Sequence, residues 1–286
     1  MSRVVIAGTG PLALQLQKHL TGHEVRLTQG FDLTLRHEAE LALTGAEVVV
    51  VLASARGPQG RLKTASRRDL DALLADSLGR AAKLVGAQRV IVFACGDDDA
   101  RLPVLEKCGV PLTVLRGGGP DPVAALAAMV NGGEAPPASA WSGAPSQRDT
   151  PRWTVCSVQR LSLPAGWDAL KLARAHFEWL PNAAPLTRVS LLNRVASISV
   201  AGSRALVLSM VPGRSDASCA HYEIVGGSLA ARAEGRLEFR VLLDGTAVAA
   251  LIGYQPALPF FVYRFSQALV HERTMRKFIA WLSTQA

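Results

Sequence analysis

The sequence predicts an α/β fold, with an open parallel sheet wound with helices followed by a smaller α+β domain that has an antiparallel sheet and a long C-terminal helix. Three observations predict it. The apolar run Val4-Val5-Ile6-Ala7 meets a glycine turn, Gly8-Thr9-Gly10, and then a helical stretch from Pro11. Continuous valine-rich runs alternate with helical spacing through the first half. In the second half short alternating strands, broken by Gly, Pro or Asp, lead to one last amphipathic stretch.

The elements follow in order. His23 to Thr28 reads as a second strand, and Ala46 to Ala53, with four consecutive valines, as a fully buried one. Arg67 to Val85 carries Leu70, Leu73, Leu74, Leu78, Ala81 and Ala82 at helical spacing. Gln88 to Ala94 is the next buried strand, Arg101 to Cys108 a short helix, and Pro111 to Leu115 a further strand. From Gly132 to Arg152 the composition turns to Gly, Pro, Ala and Ser without periodicity. The expected organisation is therefore a first domain over 1–132, a linker over 133–152 and an α+β domain over 153–286.

In the second half Trp167 to Leu180 is an amphipathic helix. Val195–Val200, Ala205–Val211, His221–Val225, Gly235–Leu243 and Ala247–Tyr254 read as strands, with a hairpin signal at Asp244-Gly245. Strict alternation over Arg236-Leu237-Glu238-Phe239-Arg240-Val241 turns Leu237, Phe239 and Val241 inward and both arginines and Glu238 to water. The last helix, about 261–282, is expected to pack across its own sheet, enclosing a cleft, in preference to lying on an anionic membrane.

Charge and cysteines bound the function classes. The net charge of +8 is uneven: residues 1–150 hold 16 Lys+Arg against 15 Asp+Glu, and residues 151–286 hold 15 against 8. The arginines are dispersed and not grouped with aromatics, which argues against nucleic acid as a partner. Cys95, Cys108, Cys156 and Cys219 show no metal-ligand spacing and read as reduced, buried thiols. No metal site is expected. No apolar run approaches the roughly 18 residues of a membrane span, and the first strand begins almost at Met1, so a cytoplasmic protein is expected.

The opening turn is the strongest functional signal. A pyrophosphate needs close approach to backbone N–H groups at a helix N-terminus, which glycines at positions 8 and 10 permit. Pro11 suits the first helical turn, and Ala13 stands where the G-x-G-x-x-G/A pattern allows alanine.

Val4 to Gly10, Asp32-Leu33-Thr34, the Val48-to-Ser54 strand, Arg89 to Phe93 and Pro111 to Arg116 together resemble the atypical, extended branch of the short-chain dehydrogenase/reductase superfamily, which includes NAD(P)-dependent sugar epimerase-like proteins. The likeness covers about residues 3–125. Ser157 to Leu161, Tyr222 to Gly227, Gly235 to Arg240 and Pro259 to Trp281 resemble an uncharacterised C-terminal domain appended to some of its members. The resemblance implies a Rossmann-type sheet and NAD or NADP as cofactor. With the turn, it makes Gly8, Thr9, Gly10, Pro11, Leu12, Asp32, Ala53 and Ser54 the candidate cofactor-binding residues.

Two departures matter. The resembled family uses a Tyr-x-x-x-Lys pair, whereas the first tyrosine here is Tyr222, and the corresponding stretch reads Asp97-Asp98-Asp99-Ala100-Arg101 with Lys107 beyond it. Asp97 to Asp99 is expected to be a solvated tip and Lys107 a solvated helix lysine. About a helix and a turn are also missing after the second strand, so Asp32 reads either as the acid near the adenine or as the cap of a helix starting near Leu35. No residue is assigned a catalytic role. Among the histidines only His221 and Glu223, two apart on a strand, could cooperate locally, although an exposed pair without a role is the expectation.

The expected function is nucleotide-cofactor binding without the Tyr–Lys apparatus, as a sensor or a non-standard oxidoreductase. The alternatives are a binder of an apolar or amphipathic small molecule in the second domain, and an epimerase that uses Tyr222 or Tyr254.

Overall fold

The computed structural model describes residues 1–54, 62–63, 67–94, 96, 98–117, 121–134, 154–183, 185–259 and 267–285. The chain divides into two compact units, Met1–Gly57 with Arg67–Asp149, and Pro58–Ser66 with Thr150–Ala286. Most of the stretch expected to be a linker, from 135 onward, lies outside the described residues.

The first unit runs β1 (Arg3–Ala7), α1 (Pro11–His19), β2 (Glu24–Leu27), α2 (Arg36–Leu43) and β3 (Val48–Val51). After β4 (Leu62–Lys63), which pairs in the other unit, it continues with α3 (Arg67–Leu84), β5 (Arg89–Ala94), α4 (Leu102–Leu105), β6 (Leu112–Arg116) and α5 (Pro122–Val130). Its sheet has the order β2-β1-β3-β5-β6 with every pair parallel. The valine run of β3 is buried along its whole length because both sheet faces are covered. Val4, Ile6, Val50 and Phe93 pack with Leu16 of α1 and with Leu126 and Met129 of α5. Val5, Val49, Val51 and Val92 alternate onto the opposite face and are equally buried, and α2, α3 and α4 pack on one another.

The expected helix over 101–108 is a single turn, α4. Helix α5 has no counterpart in the periodicity reading, since Pro122 to Val130 contains no charged residue to mark an outer face. Its start is nonetheless fixed locally: the Asp121 carboxylate accepts from the Val123 and Ala124 amides at 3.0 and 2.9 Å, and Pro122 follows at the first helical position.

The second unit runs β7 (Val155–Leu161), α6 (Ala169–Ala183), β8 (Thr187–Leu192), β9 (Val195–Val200), β10 (Ser203–Met210), β11 (Cys219–Gly226), β12 (Arg236–Val241), β13 (Ala247–Tyr254) and α7 (Gln267–Leu282). Residues 261–266 of the expected last helix lie outside the described residues. The sheet order is β4-β7-β13-β12-β11-β10-β9-β8. It is antiparallel except where β4 joins β7, so β8 to β13 form a meander whose last strand returns to β7.

Strands β7 and β8 have no counterpart among the strands expected from sequence. The β8–β9 hairpin turns on Asn193 and Arg194, both with positive φ (48° and 68°), the conformation a two-residue hairpin requires. Helices α6 and α7 pack on one sheet face, where Phe177, Phe239, Phe278, Leu172, Met275 and Leu282 form the core.

The alternation of β12 holds, but its second face is not wet. Leu237 and Phe239 join the core as expected, while Glu238 and Arg240, expected in water, are both 0% exposed. A period of two separates the faces of a strand but does not say which of them solvent reaches.

Candidate functional site

The order β2-β1-β3 means that the chain leaves β1 toward one edge and returns across it to build β3 on the other side. The carboxyl ends of β1 and β3 therefore flank a topological switch point, the place where open α/β sheets form their ligand crevice. Gly8-Thr9-Gly10 follows β1 there, and Ala53 and Ser54 follow β3. Thr9, Gly10, Ala53 and Ser54 are partly exposed, Pro11 is exposed, and Leu12 is buried in the core beneath α1.

The turn after β1 is drawn tight against the end of β3. The Leu52 and Ala53 amides both donate to the Ala7 carbonyl, at 2.9 and 2.6 Å. A Cβ on Gly8 would lie 3.1 Å from Leu52 Cβ and 3.3 Å from the Ala53 nitrogen, and Gly8 has φ +150°. Glycine is thus required at position 8 by the approach of β3, whatever binds above it. The Gly8 amide donates to the buried Thr28 Oγ1 at 3.1 Å, so this member of the turn is occupied by the protein itself.

Helix α1 has no side-chain cap on its N-terminus and no acidic residue in its first turn. Gly10, the N-cap, is extended (φ −75°, ψ 177°), and Pro11 removes one of the amides that would otherwise need a partner. A negative group would find favourable partial charge at that end.

Asp32 turns its carboxylate on its own loop. Oδ1 accepts from the Thr34 amide at 3.0 Å and from Thr34 Oγ1 at 2.6 Å, while the Asp32 amide donates to Glu38 Oε2. Asp32 does not cap α2, whose N-cap is Leu35 with no side-chain hydrogen bond.

Sequence reasoning missed Arg101. Its side chain is 2% exposed and lies at the carboxyl ends of two neighbouring strands, Nη1 donating to the Ala53 carbonyl and Nη2 to the Phe93 carbonyl, each at 2.7 Å. Asp99 Oδ1 accepts from Arg101 Nε at 2.9 Å, and its Oδ2 from Nη2. Asp99 is therefore not part of a solvated tip: its side chain is 6% exposed, because the buried guanidinium needs its charge balanced. The signal available was Asp-x-Arg between a buried strand and a short helix. Lys107 is exposed, as expected.

The second unit contains a buried ionic cluster on β11 and β12. His221 Nδ1 and Glu238 Oε1 are 2.8 Å apart across the β11–β12 pair, so Glu238 and not Glu223 is the partner of His221. Glu223 Oε1 stands 3.9 Å from the other ring nitrogen and accepts from Arg214 Nη1 at 2.9 Å. Arg240 Nη2 and Arg236 Nε reach Glu238 at 2.9 and 3.2 Å. Burial opposes the charged form of Glu238, but Arg240, Arg236 and His221 together outweigh it and hold the carboxyl at about 2.

Between the helices and the sheet His176 packs edge-on to Phe278 (4.8 Å between ring centres) and against Phe239 and Phe177. Burial, then the nearby His271, lowers it to about 3. His271 is also lowered by burial, and Ser157 Oγ lies 3.4 Å from its Nε2. Tyr222 packs on Phe177, with burial raising its phenol, and the Tyr254 hydroxyl donates to the Leu229 carbonyl. Both tyrosines are thus placed in the packing of the second unit.

No family model matches the chain, and no curated protein matches it. Among solved structures it is similar to a nucleoside-diphosphate-sugar epimerase from Staphylococcus aureus (15% identity, TM-score 0.31, covering 41% of this chain and 50% of that one). It is similar to the triphenylmethane reductase of Citrobacter sp. complexed with NADP(H) (16%, 0.31, 41% and 49%). The NADPH-dependent quinone oxidoreductase of Escherichia coli is a third (17%, 0.32, 46% and 54%). The chain spans about half the length of these structures, and at this similarity they say nothing of what it binds. Among the described residues no helix is long and apolar enough to cross a membrane.

Proposed function

We propose that the first unit binds a nucleotide through its phosphates at Thr9-Gly10 and the N-terminus of α1, with Gly8 shaping the turn beneath them. NAD and NADP are the compounds that the resemblance implies. The observation that carries this reading is the N-terminus of α1, without a side-chain cap, at the β1/β3 switch point. One exposed helix terminus contributes only about 0.3–1 kcal/mol per negative charge. Even millimolar affinity takes about 4 kcal/mol. Direct hydrogen bonds from the first-turn amides, and contacts to the ribose from the β2 and β3 loops, must supply the remainder.

The function is binding, as in a sensor of nucleotide state, carried out without the tyrosine of the resembled family. The first tyrosine of the chain is Tyr222, and it lies in the core of the second unit.

Calorimetric titration of the full chain with NADH, NADPH and ADP tests the reading. Binding of at least one is expected, and it is expected to be lost in Gly10→Asp, where a carboxylate caps α1 and repels phosphate while the melting temperature is held or raised. No binding at millimolar concentrations, or undiminished binding by a folded Gly10→Asp variant, would overturn it.

A further inference from the structure

We propose that this site takes a nucleoside diphosphate and that a dinucleotide gains nothing from its second half, because Arg101 and Asp99 fill the place where that half would lie. The inference rests on the nucleotide reading above and specifies its ligand class.

A doubly wound sheet of this kind offers one nucleotide position per half, on either side of the switch point. In this unit the first half is β1-α1-β2, and the second begins with β3 and β5. The carboxyl ends of β3 and β5 are where the second nucleotide would meet the sheet. Arg101 comes in from the turn before α4 and joins these two strand ends, through the carbonyls of Ala53 and Phe93. Its Nε, one Nη1 proton and both Nη2 protons are committed to those carbonyls and to Asp99.

The pair is built to stay. Both side chains are more than nine-tenths buried, and pulling Arg101 aside for a ligand would separate a buried cation from its carboxylate. Asp99 is further fixed by the Arg101 amide, which donates to its Oδ1 at 3.1 Å. The Ala53 carbonyl, which lies where a ligand ribose would approach, is already an acceptor for the guanidinium.

On the other side of the switch point the balance differs. The N-terminus of α1 has neither a side-chain cap nor an acidic residue in its first turn. A terminal diphosphate carries more negative charge than the internal pyrophosphate of a dinucleotide, so the same helix end attracts it more strongly.

Full-length protein titrated calorimetrically with ADP, NAD and nicotinamide mononucleotide decides the matter. ADP is expected to bind within about threefold of NAD or more tightly, and nicotinamide mononucleotide at millimolar concentration is expected not to displace ADP. Affinity for NAD about tenfold or more above that for ADP, or displacement of ADP by nicotinamide mononucleotide, overturns this inference and leaves the nucleotide reading intact. Failure of both ADP and NAD to bind overturns the two together.

Discussion

Glu238 combines full burial with a charge held by three neighbours, Arg236 and Arg240 on its own strand and His221 on the next. Replacing both sides of such a cluster with apolar groups can be neutral, but removing one side strands the others. Glu238→Ala is therefore expected to lower the unfolding free energy by about 3–5 kcal/mol in urea titrations. A loss below about 1 kcal/mol, the scale of an exposed pair, would show that the cluster is hydrated in solution. The sequence pattern sets His221 beside Glu223 as an exposed pair without a role, whereas His221 is 2% exposed and meets Glu238. Spacing along one strand was visible, whereas the Glu238 partner depends on the register between β11 and β12.

At the scale of an element, the strand–turn–helix of residues 3–19 can be read almost entirely from local rules. The apolar run, the glycines and Pro11 each fit their observed backbone. What the residues alone did not show is that Gly8 answers to β3. Gly8→Ala places a Cβ against Leu52 and Ala53 at a positive φ, and is expected to cost about 1–3 kcal/mol by differential scanning calorimetry. Gly10→Ala, at φ −75°, is expected to cost less, about 0.5–1 kcal/mol, because alanine is only a poorer N-cap than glycine. Equal effects at the two positions would refute this assignment. Other elements were less visible: α5 is apolar all round, and β8 ends in a hairpin made by Asn193-Arg194, which lacks the glycine that marks such turns.

For the whole molecule, two histidines that burial lowers contribute to the response to acid. His176 and His271 are both lowered from the ordinary value near 6.5, His176 to about 3, so on acidification the unfolded chain takes up protons before the folded one. For His176 stability is then present above about pH 6.5 and falls toward pH 3, by about 1.4 kcal/mol per pH unit at most, and His271 adds a loss of the same sign. Glu238 adds a further loss as pH drops from 4.5 toward 2, where its carboxylate protonates. The slope of unfolding free energy between pH 7 and pH 5 is expected to be shallower in His176→Phe, which keeps an aromatic ring among Phe177, Phe239 and Phe278. An unchanged slope in the folded variant would remove His176 as the source.

Local pattern alone specifies the two kinds of sheet, the glycine turn and which residues share a face in the strands it reveals, because these follow from backbone sterics and from periods of 2 and 3.6 residues. Tertiary structure alone decided strand order, the pairing of β4 with β7, the burial of Glu238 and Arg240, and the seating of Arg101 at the ends of β3 and β5. Each of these joins residues distant in the chain or depends on what covers a face, and a local pattern carries neither.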